Sequence, residues 1–141
     1  ATSRTKITHP IYSQRSIKSG ENAIFAAYDN RGKIQGVALI NLKGDIDHAA
    51  ILDDLVVNPE RVKSIGRRTP ISGTGTKLVQ ACAQKILKGN DKKELGTYSL
   101  KSAKTFYEKL GFEYDNTEFG GSEAWGMCLN EDKLRSLATR V

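Results

Sequence analysis

Two stretches of this sequence hold residues whose types and spacing suit a site. In the first, Gly73-Thr74-Gly75 opens an apolar helical stretch and follows a run that carries Arg61, Lys63, Arg67 and Arg68. Free backbone N–H groups at a helix start attract anions, and glycines let a phosphate approach the backbone closely. The pattern is not a Walker A loop, which needs Gly-Lys-Ser/Thr after four spacers. It is not a dinucleotide fingerprint either, because the third glycine would fall at position 78, which is Leu78. On its own, Gly-Thr-Gly equally describes a tight turn. The second stretch runs from Ser102 to Phe112 and contains Tyr107, an amphipathic phenol near the end of a short helix, where a hydroxyl usually has a partner. Cys82 and Cys128 lie far apart with no Cys or His at metal-ligand spacing, so the sequence supports neither a zinc site nor a disulfide framework. Two buried thiols in a reducing compartment, the cytoplasm, is the reading they favour. His9 and His48 stand alone and are given no role.

The elements that must hold these residues follow from periodicity. Residues 1–22 are polar and poorly periodic, an arm or edge strand around Ile7 to Tyr12. Ala23 to Tyr28 reads as a strand, Asp29 to Gly32 as a hairpin turn, and Ile34 to Leu42 as the next strand with Gly36 as a bulge. Ala49 to Val57 forms a third. Beyond the glycine loop, Leu78, Val79, Cys82, Ala83, Ile86 and Leu87 recur at helical spacing, and Gly89-Asn90 ends that helix. Thr97 to Leu100 is a short strand, Ser102 to Leu110 a second helix, and Gly111 its left-handed cap. Phe112 to Phe119 and Glu123 to Leu129 form a hairpin, and Asn130 caps a last helix with Leu134, Leu137, Ala138 and Val141 on its apolar edge. The order β-β-β-α-β-α-β-β-α predicts an α/β layer fold around a mixed sheet, with an N-terminal arm (1–22), a core (23–129) and a C-terminal helix (130–141).

Composition sets broader limits. The chain has 141 residues, enough for one domain with its own core. No apolar run reaches the roughly 20 residues of a membrane span, and the N-terminus lacks the layout of a secretory signal. The chain begins without Met, which points to processing or trimming. With 22 basic and 16 acidic residues the net charge is +6, compatible with an anionic ligand, a nucleic acid or simple solubility. No aromatic-and-basic stripe of the kind that stacks bases runs along the sequence, and Lys88, Lys92 and Lys93 read as a solvated turn.

Phe106-Tyr107-Glu108-Lys109-Leu110-Gly111-Phe112 resembles the second signature of the GCN5-related N-acetyltransferases (GNAT) in every position. Leu52-x-x-Leu55-x-Val57-x-Pro59 looks like the strand before that family's acetyl-CoA loop, and Gly73-x-Gly75 looks like the loop itself. The three occur in the family's order, and the resemblance covers Ala23 to Leu129. It implies a mixed, mostly antiparallel sheet flanked by helices. It further implies acetyl-CoA as acyl donor, with coenzyme A as product, no metal, and an amine acceptor attacked directly in a ternary complex. The pyrophosphate would lie on Ser72, Gly73, Thr74, Gly75 and Thr76, and the pantetheine arm along Leu55, Val56 and Val57, with Phe106 beside them. Tyr107 would protonate the leaving thiolate, and a phenol of pKa near 10 suits that task. Asp53 and Asp54 occupy the place where relatives such as the polyamine acetyltransferases carry an acidic pair. By plain strand alternation Asp53 shares its face with Leu55 and Val57 unless a bulge intervenes, while a pair of solvated strand-end carboxylates would look the same.

The sequence also departs from the family pattern. Pro70 replaces the Arg or Gln before the first loop glycine and removes an N–H, so that one pyrophosphate contact is either missing or supplied differently, and Arg67 or Arg68 could reach back to the phosphates. Leu100 replaces a frequent asparagine. The family's first strand and two helices shrink to about 22 residues, which implies a truncated or open acceptor side. An open face favours a protein lysine or N-terminal amine, with an aminoacyl-tRNA as a second candidate, and the basic charge disfavours a polyamine. A homodimer is compatible with the last helix, and a membrane partner is not expected. From a different class, a degenerate acyl-CoA-binding or basic nucleic-acid or tRNA-interacting module without turnover fits the same motifs.

Overall fold

The computed structural model describes residues 6–7, 22–57, 73–119 and 124–140. Seven strands form one sheet: β1 (Lys6–Ile7), β2 (Asn22–Tyr28), β3 (Ile34–Asn41), β4 (Ile51–Val57), β5 (Leu95–Leu100), β6 (Glu113–Phe119) and β7 (Ala124–Leu129). Their order is β1-β2-β3-β4-β5-β7-β6. All neighbours are antiparallel except β4 and β5, which run parallel because helix α1 (Thr74–Gly89) crosses between them. A 3-10 turn (Lys101–Ala103) leads into α2 (Lys104–Leu110), and α3 (Glu131–Ala138) ends the described chain.

Alternation sorts the strands into two faces. Ala23, Phe25 and Ala27 of β2, Ala38 and Ile40 of β3, Leu52 of β4, Leu95 of β5, and Met127 and Leu129 of β7 share one buried cluster. Residues of all three helices join it, including Leu78, Cys82 and Ile86 of α1, Tyr107 and Leu110 of α2, and Leu134 and Leu137 of α3. The helices therefore lie on one face of the sheet, and the opposite face carries no helix among the described residues. α1 settles closely because the strands beneath it are small-residued. A Cβ on Gly36 would stand 2.9 Å from Val56 O and 3.0 Å from Leu78 Cδ1. The last helix packs its apolar edge on α1, and Gln80 donates hydrogen bonds to Leu137 O (3.0 Å) and Arg140 O (2.5 Å).

The sequence-based boundaries hold to within a few residues, with two corrections. The bulge expected at Gly36 falls at its neighbour: Ala27 pairs with Gly36 and Tyr28 with Ile34, leaving Gln35 as the extra residue. Gly36 itself is needed for the close approach of α1. The second helix is also shorter than Ser102 to Leu110, because Lys101–Ala103 form the 3-10 turn. The caps follow the sequence. Gly111 takes φ 106° while Phe112 N donates back to Tyr107 O (3.1 Å), and Asn130 accepts from Lys133 N (3.1 Å).

Candidate functional site

The pairing of β4 sets the site. Leu39 pairs with Asp54 and Ile40 with Leu52, so Asp53 is an extra residue without its own partner on β3. This bulge overturns the plain alternation: Leu52 and Leu55 both pack on the helix-side core although three positions apart, and Asp54 shares the opposite face with Leu39. On its other edge β4 pairs with β5 only at Ile51–Gly96 and Leu52–Thr97. From Asp53 to Val57 that edge has no strand partner among the described residues, while β5 runs on beside β7 as far as Leu100. The two strands part company at the bulge. An open strand edge of this kind offers N–H and C=O groups to an extended ligand arm.

The start of α1 closes the far end of that edge. Gly73 adopts φ 81°, no side chain among the described residues caps the helix, and its first turn has no acidic residue. The first helical bond runs from Lys77 N to Gly73 O (2.8 Å), so the amides of Thr74, Gly75 and Thr76 find no carbonyl within the helix. Thr74 is fully buried, and its Oγ1 has no hydrogen-bond partner among the described residues. A Cβ on Gly75 would stand 3.1 Å from Phe106 Cζ and 3.7 Å from Val57 Cγ2. Val57, Gly75 and Phe106, far apart in sequence, therefore meet. The absence of acidic groups, the orphaned hydroxyl and the glycine cradle all suit an anionic group such as a pyrophosphate. Arg67, Arg68 and Ser72 lie outside the described residues.

Tyr107 reaches the same crotch from above. It is buried, and its ring packs edge-on against Phe106 (centroids 5.1 Å) and Phe112 (5.3 Å). Its hydroxyl is hydrogen-bonded with Thr97, whose own hydroxyl donates to Leu52 O at 3.1 Å. Tyr107 is thereby tied to the last pair of residues before β4 and β5 separate. Burial raises its pKa, the Thr97 bond opposes the rise, and the charges of Cys82 and Asp54 add to it. Asp53 is also raised, first by desolvation and then by the negative charges of Asp54 and Asp45. Val56 and Leu100 are exposed beside the opening, at 60% and 56%.

Sequence reasoning missed a second cluster, on the helix-free face. His48 is buried beneath Gly96, where a Cβ would lie 2.3 Å from its ring. Its Nε2 stands 2.5 Å from Asp115 Oδ2, its Nδ1 stands 3.5 Å from Asp45 Oδ1, and Tyr98 donates to Asp45 Oδ2 at 2.6 Å. Burial, then Asp45, pushes the Tyr98 phenol up. Cys128 and Cys82 are pushed up to about 12, chiefly by burial, and are poor nucleophiles. The Asp45-x-x-His48 spacing was the one local hint, because Asp45 Oδ1 also accepts from His48 N (2.8 Å). The other partners come from strands distant in sequence. In the sequence-assigned solvated turn, Lys92 pairs with Glu94 at 3.6 Å and Lys93 donates to Asn90 O.

This geometry can be set beside known proteins. The family model of the acetyltransferase (GNAT) domain matches residues 20–114. That is most of the chain, and the chain belongs to the GNAT acetyltransferase family. No curated protein sequence matches it. Solved structures share the fold at low identity. The PaiA N-acetyltransferase from Thermoplasma acidophilum, in complex with coenzyme A, superposes with a TM-score of 0.61 at 18% identity, over 81% of this chain and 64% of that one. A protein described as a bacterial toxin gives 0.65 at 16%, over 90% and 77%. The spermidine/spermine N-acetyltransferase of Vibrio cholerae gives 0.59 at 12%, over 86% and 74%. The chain thus spans less than two thirds of the Thermoplasma protein. No helix among the described residues is long and apolar enough to cross a membrane.

Proposed function

We propose that this chain transfers an acetyl group from acetyl-CoA to an amine, by direct attack in a ternary complex. The observation that carries the reading is the parting of β4 and β5 at Asp53, with Tyr107 anchored at that point and the uncapped start of α1 at the other end of the open edge. Gly73, Thr74, Gly75 and Thr76 would hold the pyrophosphate on their amides. Leu55, Val56 and Val57 would hold the extended arm, with Phe106 against the loop. Acetyl-CoA supplies an activated thioester whose thiolate leaves when an amine attacks. Tyr107, with its pKa raised, keeps its proton at neutral pH and delivers it to the leaving sulfur. Asp53, whose pKa is raised by desolvation and then by the charges of Asp54 and Asp45, accepts a proton from the amine.

The acceptor we favour is a lysine side chain or N-terminal amine of a protein. Exposed Val56 and Leu100 suit an aliphatic stem, and Asp53, Asp54 and Asp45 suit the ammonium it carries. The same carboxylates also favour a polyamine, against the argument from net charge, so polyamines belong in the test. The test is release of free thiol from acetyl-CoA in the presence of lysine peptides, peptides with free N-termini, spermidine and aminoacyl-tRNA. Turnover with peptides that is lost in Tyr107→Phe supports the reading. Acetyl-CoA binding without turnover on any acceptor makes the chain a binding module instead.

A further inference from the structure

Across α2 from the acetyl-CoA loop, a cavity of about 140 Å³ opens on the helix-covered face, lined by Ser99, Lys101, Lys104, Tyr114 and Trp125. None of these residues belongs to the site described above. Tyr114 pairs with Met127, two residues from Trp125 on the neighbouring strand, so both rings rise from the same face of the β6–β7 hairpin. Their centroids lie 5.8 Å apart at a tilt of 58°. Both rings remain well exposed, Tyr114 at 39% and Trp125 at 50%. Large rings left half in water mark a surface when they line one cavity together.

The lysines restrict what can fill it. Lys104 Nζ stands 5.3 Å from the Tyr114 centroid and hydrogen-bonds that residue's hydroxyl, so a cation already stands at the edge of the aromatic wall. A cationic ligand would meet two ammonium groups, and a purely apolar one would have to desolvate them. A flat ring system carrying negative charge satisfies both linings at once. The lysines are mobile point charges at an open rim rather than a cradle of backbone amides. They suit a phosphate chain passing by better than the tight end group of a free nucleotide. The net charge of +6 acts in the same direction.

We propose that this cavity seats one base of a single-stranded nucleic acid, with Trp125 and Tyr114 stacking the base and Lys101 and Lys104 meeting the adjoining phosphates. The two aromatic residues are eleven positions apart in the chain and the lysines lie on another element, which is why no stripe appears in the sequence. Lys104 stands one helical turn before Tyr107, so a strand seated here passes within about 5 Å, measured along α2, of the residue assigned to acetyl transfer. The inference does not depend on that assignment.

Trp125 is the chain's only tryptophan, so its fluorescence reports on this cavity alone. The full chain is titrated with a short oligoadenylate, with AMP, with inorganic polyphosphate and with anionic phosphatidylserine vesicles. Oligoadenylate is expected to quench Trp125, with affinity falling steeply as salt rises, while polyphosphate binds without quenching and AMP quenches only at far higher concentration. By anisotropy of labelled oligoadenylate, Trp125→Leu and Tyr114→Leu each weaken binding about 5- to 100-fold, the range for loss of one stacking partner. Lys104→Ala lowers the salt slope by about 0.7. These exposed positions leave the melting temperature unchanged, so a loss of binding is not a loss of fold. Oligoadenylate that fails to quench overturns the proposal, as does Trp125→Leu binding it as tightly as wild type. Quenching by AMP at equal concentration would make a free nucleotide the ligand, and quenching by vesicles alone would make it a lipid surface. Either result overturns the proposal too.

Discussion

The two faces of the sheet are built by different means. The helix-covered face is made of short-range patterns: alternation in β2 and β3, a three-and-four spacing in α1, a glycine cap after α2 and an asparagine cap before α3. Its core closes chiefly on apolar side chains, with Tyr107 hydrogen-bonded to Thr97 among them. The helix-free face depends on side chains brought together over long separations: Asp115 on His48 and Tyr98 on Asp45. The covered face supplies the core, the glycine turn at the start of α1 and the buried phenol, whereas the open face supplies carboxylates. The reaction proposed needs an acid kept protonated and a base kept nearby: burial raises Tyr107, and desolvation, reinforced by the charges of Asp54 and Asp45, raises Asp53.

The comparison can be broken most forcefully at Tyr107. Replacing it with Phe keeps the ring packing against Phe106 and Phe112 but removes the hydroxyl proposed as proton donor. Turnover is expected to fall about 100- to 10,000-fold, with acetyl-CoA affinity within about twofold of wild type. A Tyr107→Phe enzyme with undiminished turnover at saturating substrates would remove the covered face from the chemistry. Next in size is the core beneath α1 and α3. Leu134→Ala empties a fully buried position, and chemical denaturation should show a loss of about 2–5 kcal/mol. On the open face Gly96→Ala drives a Cβ into the His48 ring, with an expected loss of about 1–3 kcal/mol. A loss at Gly96 equal to that at Leu134 would mean that both faces carry the fold alike.

The smallest effect is the most specific to the open face. The folded-state pKa of Asp53 is raised, so folding favours its protonated form. That contribution is present below the ordinary aspartate range and disappears as pH rises through the raised value. Asp53→Asn should therefore melt about 1–2 °C higher near neutral pH and at the wild-type temperature at about pH 3. Calorimetry at the two pH values checks the sign. In turnover the same variant should lose the acid limb of the pH profile, which in the wild type should lie above the ordinary aspartate range.

This division also explains what the sequence revealed. The succession of strands and helices along the chain and the glycine turn were legible because each is written in a period or a cap, whereas the place of β7 between β5 and β6 was not. Tyr107, Gly75 and the β4 segment were legible because they sit in local motifs. The bulge at Asp53 was not, since a bulge is a mismatch between two strands and β4 alone shows only one of them. His48 looked isolated because Asp115 stands 67 positions away and joins it only when β6 docks beyond β7. The apposition of Gly75, Phe106 and Val57 was hidden in the same way, although each residue drew notice by itself.

The central claim is that acetyl-CoA lies on the open edge of β4 and the uncapped start of α1. Calorimetric titration of acetyl-CoA into wild type and into Gly75→Trp, with circular dichroism confirming that both are folded, tests it most directly. The account predicts micromolar binding to the wild type that is abolished in the folded variant, because an indole at Gly75 occupies the space between Phe106, Val57 and the helix amides. Absence of binding to the wild type, or equal binding to both proteins, would contradict it.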